Sequence, residues 1–532
     1  MRTTPGSSLG SRPASPLLRG GVASPPRHSS TAGDCLVTFD AGTGSGRCVV
    51  YDAHGRLLAQ AREHFQYRVL DDPTIPFVRG FDLDPAAFWK SLASCAQEAL
   101  AALPADARVR GVAVTSQRQG CVFLDRAGEV LYAGPNLDAR AALEGFEVHE
   151  KLGTKRLHAI TGHLPACVFP LARYLWYRKH GDAARIATVL MLSDWVTQRL
   201  TGACVAEPSN AAESMFYDVS QRTWSSEILQ SFDVPRSILP DLHASGTQVG
   251  TVTAAAARAT GIPEGTPVFT GGADTQCALL ASDARADGDT AAVLGTTCPV
   301  QMVTATPVLD PAANLWTGCH VVGERWVLES NAGDTGGTYR WLLKLLFGAA
   351  DEAAHAASES AMEAASGRTV HAFLGPLVFD LRKMNPFRAG GILFRFPILH
   401  LDRPNHGDIL AGFMDNVAFA VRANVEQLVA TNGRPVTSLR VSGGMAQSRT
   451  LVQRLADALA MPVLVSKVLE TASLGCAVLA AVGSGLHPSV PDALAAMTAR
   501  GVVEPEPSSL AACTERYGKW LDLQGKLGEL SI

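Results

Sequence analysis

The part of this chain that reads as folded opens on a strand that passes through a glycine-rich turn into a second strand, and that order restricts the fold more than any other feature. Cys35-Leu36-Val37-Thr38-Phe39 is a short apolar run of the kind that fills a buried strand. Asp40-Ala41-Gly42-Thr43-Gly44-Ser45-Gly46 follows as a tight polar turn. Then come the apolar Arg47-Cys48-Val49-Val50-Tyr51, the turn Asp52-Ala53-His54-Gly55, and Arg56-Leu57-Leu58-Ala59. This is a β-meander. A dinucleotide-binding glycine loop or a P-loop runs from a strand into a helix. These glycines lead into another strand, so both of those folds are excluded despite the composition of the turn.

The pattern returns later. Gly265-Thr266-Pro267-Val268-Phe269-Thr270 leads into Gly271-Gly272-Ala273-Asp274, and Ala291-Ala292-Val293-Leu294-Gly295-Thr296-Thr297 again reads as strand, small-residue turn, strand. Two such units far apart point to a duplicated domain with one phosphate turn per copy. Between and after them, apolar residues fall at helical spacing over Phe88 to Leu103 and Phe169 to Tyr177. The strand Leu439-Arg440-Val441-Ser442 runs into Gly443-Gly444-Met445-Ala446. An amphipathic helix follows, with Leu451, Val452, Leu455 and Leu459 on one face. A glycine pair at a helix start suits phosphate or nucleotide contact.

Composition bounds the partners. A chain of 532 residues exceeds one ordinary core, so two or three domains are expected. A net charge of −4 argues against a general nucleic-acid binder, yet allows a locally basic pocket. No apolar run reaches the ~18 residues of a membrane span. The 11 cysteines are scattered, with no C-x-x-C pair. They read as reduced thiols in a cytoplasmic setting, mostly small buried hydrophobes, and not as disulfides or a zinc site. Residues 1–33 are rich in Ser, Pro, Gly and Arg (Arg2, Arg12, Arg19, Arg27) and hold no acidic residue, so this extension is expected to be disordered. It lacks the apolar stretch of a secretory signal. Its bias resembles an organelle transit peptide, although its prolines spoil an amphipathic helix; a start codon placed too early is the alternative.

Phosphoryl transfer needs the nucleotide phosphates held, a metal positioned, charge spread over the transferred group and a base near the acceptor hydroxyl. Glycine turns let backbone N–H groups approach phosphate, and a neighbouring carboxylate can hold Mg²⁺. Asp40 with Gly42, Thr43, Gly44 and Ser45 supplies those parts; an ordinary hairpin turn is the plainer reading. Asp274 follows two glycines after an apolar strand, where a carboxylate can face a cleft and take a hydroxyl proton. Taken alone, an Asp there is more commonly a helix N-cap. Gln117-Arg118-Gln119-Gly120 follows the strand Val112-Ala113-Val114, a place for long polar side chains that read hydroxyls. Asp138 and Arg140 can form a charged pair near it; a surface loop with an incidental ion pair is the alternative.

Taken in order along the chain, these segments resemble the FGGY carbohydrate kinases, which include glycerol kinase and xylulokinase. The resemblance runs from about Cys35 to about Gly485. It is carried by DAGTGSGR from Asp40, SQRQG at 116–120, NLDARA at 136–141, SDW and LTG within 193–202, and GGADT at 271–275. GTT at 295–297, GGMAQS at 443–448 and ETASLGCAVLA at 470–480 complete it. It implies an α/β fold of two actin-like (ribonuclease-H-like) ATPase domains with the active site in the cleft between them. The expected domains are 34–280 on the sugar side and 281–532 on the nucleotide side. It implies ATP and Mg²⁺ as cofactors and a small sugar or polyol as substrate, with no nucleic-acid or membrane partner. A homodimer is left open.

By position, the resemblance makes Asp274 the catalytic base and Gln117, Arg118, Gln119, Asp138 and Thr275 the substrate pocket. Asp40, Gly42, Thr43, Gly44, Ser45, Arg47, Gly295, Thr296, Gly336, Gly443, Gly444 and Ser448 become the nucleotide site, with Asp40 also at the metal. Asn136 stands where many members have Trp, Gln119 where glycerol kinases have Glu and xylulokinases His, and Asp415-Asn416 replaces the common Glu-Gly. NLDARA, SDW, AEPSNAA and MDNVAFAVRANVEQL look closest to the autoinducer-2 kinase branch, which phosphorylates a linear dihydroxy-ketone. The expected substrate order is an autoinducer-like molecule or short ketose, then a pentulose such as xylulose, then glycerol. The competing reading is a non-catalytic actin-like protein that binds sugar or nucleotide for regulation; an intact Asp274 and Asp40 loop argue against it.

Overall fold

The computed structural model describes residues 33–71, 79–367, 369–381, 389–395 and 403–530. The N-terminal extension therefore lies outside the described residues, apart from Gly33.

Two sheets organise the chain. The first is built from β1 (Asp34–Ala41), β2 (Ser45–Asp52), β3 (Leu57–His64), β4 (Arg108–Ser116), β5 (Gln248–Thr251) and β6 (Pro267–Ala273), in the order β5-β6-β4-β1-β2-β3. The second uses β7 (Thr290–Val293), β8 (Thr297–Thr304), β9 (Trp316–Cys319), β10 (Trp326–Asp334), β11 (Leu439–Ser442), β12 (Val463–Ser466) and β13 (Arg500–Val503), in the order β9-β10-β8-β7-β11-β12-β13. All five pairings of the first sheet recur in the second, which adds β9 outside β10. β1 pairs antiparallel with β2, and β2 with β3, while β1 pairs parallel with β4 and β4 with β6. In the second sheet β7 pairs antiparallel with β8, and β8 with β10, while β7 pairs parallel with β11 and β11 with β12. Even the antiparallel edge recurs, as β5 on β6 and β13 on β12. This is the ribonuclease-H-like topology, present twice, which defines the actin-like ATPase fold.

Parallel strands buried on both faces read as continuous apolar runs, and β1 and β4 do so. Cys35, Leu36, Val37 and Phe39, with Val112, Ala113 and Val114, are at most 1% exposed. The long helix that carries Asp415 and Asn416 begins at His406 and runs to Asn432. Asn405 and Asp408 close a capping box there, a local signal that the apolar pattern alone does not reveal. Inside it, Asp415 pairs with Arg454, and Asn416 accepts from the Trp520 indole at 2.8 Å. The Asp-Asn departure thus anchors the C-terminal helix Leu510–Gly528.

The two halves are joined by packing as well as by chain. The helix α1 (Asp274–Ala281) crosses α2 (Thr471–Gly483), which is buried nearly all round. α2 also covers the first sheet, so Leu474, Cys476 and Ala477 share a core with Leu36, Ala113 and Phe269. The crossing depends on Gly475, where an added Cβ would stand 1.9 Å from the Cys277 carbonyl oxygen. Backbone cannot rotate away as a side chain can. Gly475→Val is expected to cost about 3 kcal/mol, read as a fall in melting temperature; an unchanged melt would mean that the helices can part freely.

Candidate active site

Near the end of β1, Asp40 lies opposite Arg47 in the register of the hairpin, with Arg47 Nε 3.5 Å from Asp40 Oδ2. The Arg47 guanidinium also pairs with Glu470, at the start of α2. Arg62 on β3 is the direct cross-strand partner of Arg47 and donates Nε to Ser45 Oγ at 2.9 Å. Two arginines facing each other across strands repel, and a bound phosphate would reverse that cost.

The turn is braced from behind. Tyr67 OH donates to Thr43 O at 2.7 Å, Asn136 Nδ2 to Thr43 Oγ1 at 2.9 Å, and Gln117 Nε2 to Gly42 O at 3.2 Å. Asn136 N in turn donates to Gln117 Oε1 at 2.9 Å. Gln117 was expected to read the sugar. Instead it is 1% exposed, and its amide is used at both ends to hold the loops. Asp138 differs from expectation in the same way. Its carboxylate is fully buried, accepting from Arg140 Nε, from Phe81 N at 3.0 Å and from the Tyr132 hydroxyl.

The second turn is tied to two further glycine segments. Gly336 N donates to Gly295 O at 3.0 Å, Thr335 N to Thr296 O at 3.0 Å, and Met445 N to Leu294 O at 3.1 Å. Gly443 sits at φ +90°, and a Cβ there would lie 2.6 Å from the Leu294 carbonyl oxygen. Gly295, Thr296, Gly336, Gly443 and Gly444 are therefore brought together. Gly444, like Gly44 on the first turn, has open space where a side chain would stand. Ser448 is drawn aside, its hydroxyl accepting from Leu451 N at 3.1 Å as the N-cap of the helix Arg449–Leu459. Arg340, on the helix Gly336–Phe347, donates to Thr296 Oγ1 at 3.3 Å.

Asp274 is the first residue of α1, and Ala273 is the capping residue, so the N-cap reading of Asp274 does not hold. The tip before it is clamped, with Thr115 Oγ1 donating to Gly272 O at 2.8 Å and Ala273 N donating to Ser209 Oγ at 2.9 Å. Among the described residues Asp274 Oδ1 accepts only from Thr275 N, at 2.7 Å, and the Thr275 hydroxyl is turned to Gln276. Burial, with the charges of Asp40 and Glu213, pushes the Asp274 carboxyl up to about 7, although Arg118 pulls it down. Asp40 and Asp274 thus share one cleft.

Arg118 crosses that cleft. Its Nη1 and Nη2 donate to Glu329 on β10 at 2.7 and 2.8 Å, and Nη1 also reaches Glu213 at 3.3 Å. Gln301 Nε2 donates to Glu329 at 2.8 Å, and the Arg118 guanidinium lies 5.4 Å from the Trp316 ring centre. Glu213, Glu329, Arg62 and Arg340 were missed in the sequence. Nothing local marks a glutamate whose partner stands 211 residues away.

The family model for the FGGY family of carbohydrate kinases, N-terminal domain, matches residues 35–281, and that for the C-terminal domain matches 290–484. The chain belongs to the FGGY family of carbohydrate kinases. It is an enzyme, a phosphotransferase acting on an alcohol group. An autoinducer-2 kinase of Yersinia enterocolitica is 32% identical over 474 residues, covering 86% of this chain and 88% of the relative. The crystal structure of xylulose kinase from Rhodospirillum rubrum superposes with a TM-score of 0.79 at 25% identity, covering 93% of this chain and 99% of that one. Plasmodium falciparum glycerol kinase, solved with ADP, shares the fold with a TM-score of 0.80 at 19% identity over 94% of this chain and all of its own. Among the described residues no helix is long and apolar enough to cross a membrane, and all 11 cysteines are free.

Proposed function

We propose that this kinase transfers the γ-phosphoryl group of ATP to a hydroxyl of a short ketose or a linear dihydroxy-ketone of the autoinducer-2 type, with Asp274 as general base. The observation that carries this reading is Asp274 itself, a partly free carboxylate beside Asp40 and Arg118 with its carboxyl pushed up to about 7. A base works best when it titrates near the operating pH. The acceptor hydroxyl gives its proton to Asp274 while Arg118 and Gln119 hold the rest of the sugar from the 34–280 side. Backbone N–H groups of the first turn, with Arg47 and Arg62, hold phosphate. Gly295, Thr296, Gly336, Gly443 and Gly444 receive the nucleotide from the 281–532 side, and Arg340 adds charge there. Asp40 is the carboxylate that would hold Mg²⁺. A site with one carboxylate fits that ion, which is commonly bound through one or two carboxylates plus substrate phosphates. Bound there, the ion would screen phosphate charge.

The base must be ionised to act. kcat/KM for the sugar is therefore expected to fall tenfold per pH unit below about 7 and to level off above it. A flat profile from pH 5.5 to 8 would remove Asp274 as the base.

The substrate order rests on the 32% identity to the Yersinia kinase and the 25% identity to the xylulose kinase. It is tested by kcat/KM values for the autoinducer precursor, xylulose and glycerol. Glycerol is expected to be at least about tenfold worse, because a missing hydroxyl leaves pocket donors unpaired. Glycerol as the best acceptor would overturn the order and leave the kinase standing.

A further inference from the structure

Gln119 has a backbone that its sequence does not explain. Its φ is +59°, a left-handed conformation that a non-glycine residue rarely adopts. Such a residue persists where its surroundings over-determine it, and such sites cluster where function needs them. Here the surroundings are visible. Arg173, fully buried, donates Nη1 to the Gln119 carbonyl at 2.6 Å, and the same guanidinium donates to Asp138 O at 2.9 and 3.2 Å. One buried arginine thus locks both sugar-side loops by their carbonyls. The Gln119 side chain is fixed separately, its Nε2 donating to Glu213 Oε2.

That second contact has a direction. Glu213 is fully buried, with Arg118 Nη1 at 3.3 Å and His163 Nε2 at 3.4 Å from its other oxygen. Burial disfavours its charge, yet Arg118, then His163 and Gln119, hold the carboxyl down at about 2. An ionised carboxylate only accepts, so the amide group of Gln119 must turn its NH₂ inward. Its Oε1 is left with no donor among the described residues and is not sealed from solvent, since Gln119 keeps 8% of its surface exposed. Arg118, the neighbour, faces the Asp274 side of the same cleft.

We propose that Glu213 is a positioning residue for acceptor recognition: it orients the Gln119 amide so that Oε1 points into the cleft and accepts a hydrogen bond from an acceptor hydroxyl. The pocket then meets that hydroxyl with a neutral oxygen, and the negative charge stands one step behind it. This rests on the sugar-kinase reading above.

The test is a carboxylate swap, read on whichever sugar the wild type phosphorylates. Glu213→Gln leaves the amide free to flip and is expected to raise the acceptor KM about tenfold with the ATP KM unchanged. Gln119→Glu sets two carboxylates in contact and is expected to be worse. The double variant Gln119→Glu/Glu213→Gln restores one carboxylate and one amide, and is expected to recover acceptor KM to within about threefold of wild type. A double variant no better than the worse single one, or an ATP KM that rises with the acceptor KM, overturns the proposal. A measurement that needs no acceptor separates this from failure of the sugar-kinase reading. Hydrogen exchange of the Gln119 side-chain amide, followed in protein labelled with ¹⁵N-glutamine, is expected to be slow in wild type and at least about tenfold faster in Glu213→Gln. Equal rates overturn the proposal even if no sugar in the panel is phosphorylated.

Discussion

Asp274→Asn should lower the turnover of sugar phosphorylation by about 10²–10⁴ and leave ATP binding as it was. The change keeps the shape of the side chain and the hydrogen bond from Thr275 N to its oxygen, but removes the group proposed to take the hydroxyl proton. The fold should not suffer. The carboxyl titrates in the folded protein at about 7, above its ordinary value of 3.8. What it contributes to stability is therefore fully present below the lower value and is lost as pH rises through the higher one. At pH 8 the ionised group is a cost, and Asn removes it. Melting at pH 8 should then be unchanged or higher in the variant, with the difference shrinking through the range from about 7 down and vanishing only near 3.8. More than about a tenth of wild-type turnover in the purified variant would show that another group takes the proton.

Arg118→Ala should be the most damaging change on the sugar side. Breaking a buried ion pair by removing one partner costs about 3–5 kcal/mol, because the other charge stays behind. Here two are left, Glu213 and Glu329, with side chains 1% and 4% exposed. The pair with Glu329 joins the two domains, so its loss also loosens their closure. Arg118 further holds down the Asp274 carboxyl, so the acid limb of the pH profile should move to higher pH in the variant. The sugar KM should rise far more than the ATP KM. Adding Glu329→Gln should restore part of the stability, because it removes one stranded charge. A variant that melts like wild type would mean that water already solvates this cluster.

The positions of Asp40 and Asp274 at the ends of apolar strands were legible because that relation is contained in a few neighbouring residues. The duplication was legible for the same reason, since each copy announces itself by strand, small turn and strand. Gln117 and Asp138 were given to the pocket by their position in the family resemblance, and a loop sequence does not say which side of it faces the cleft. Both turned out to be braces, one under the first turn and one under Arg140. Glu329 and Arg62 were invisible because their meaning lies in a pairing, across 211 residues in one case and across a strand register in the other. The packing of α2 on the first sheet was equally hidden, although its buried-all-round composition pointed to a helix inside a core.

The central claim is that the cleft moves a phosphoryl group from ATP to a sugar hydroxyl. It is tested most directly by ³¹P nuclear magnetic resonance of the purified enzyme with ATP, Mg²⁺ and the ketose panel. The account predicts a new phosphomonoester signal that grows in step with ADP, depends on the sugar and is lost in Asp274→Asn. ADP and free phosphate appearing alone, at the same rate with and without every sugar, would contradict it.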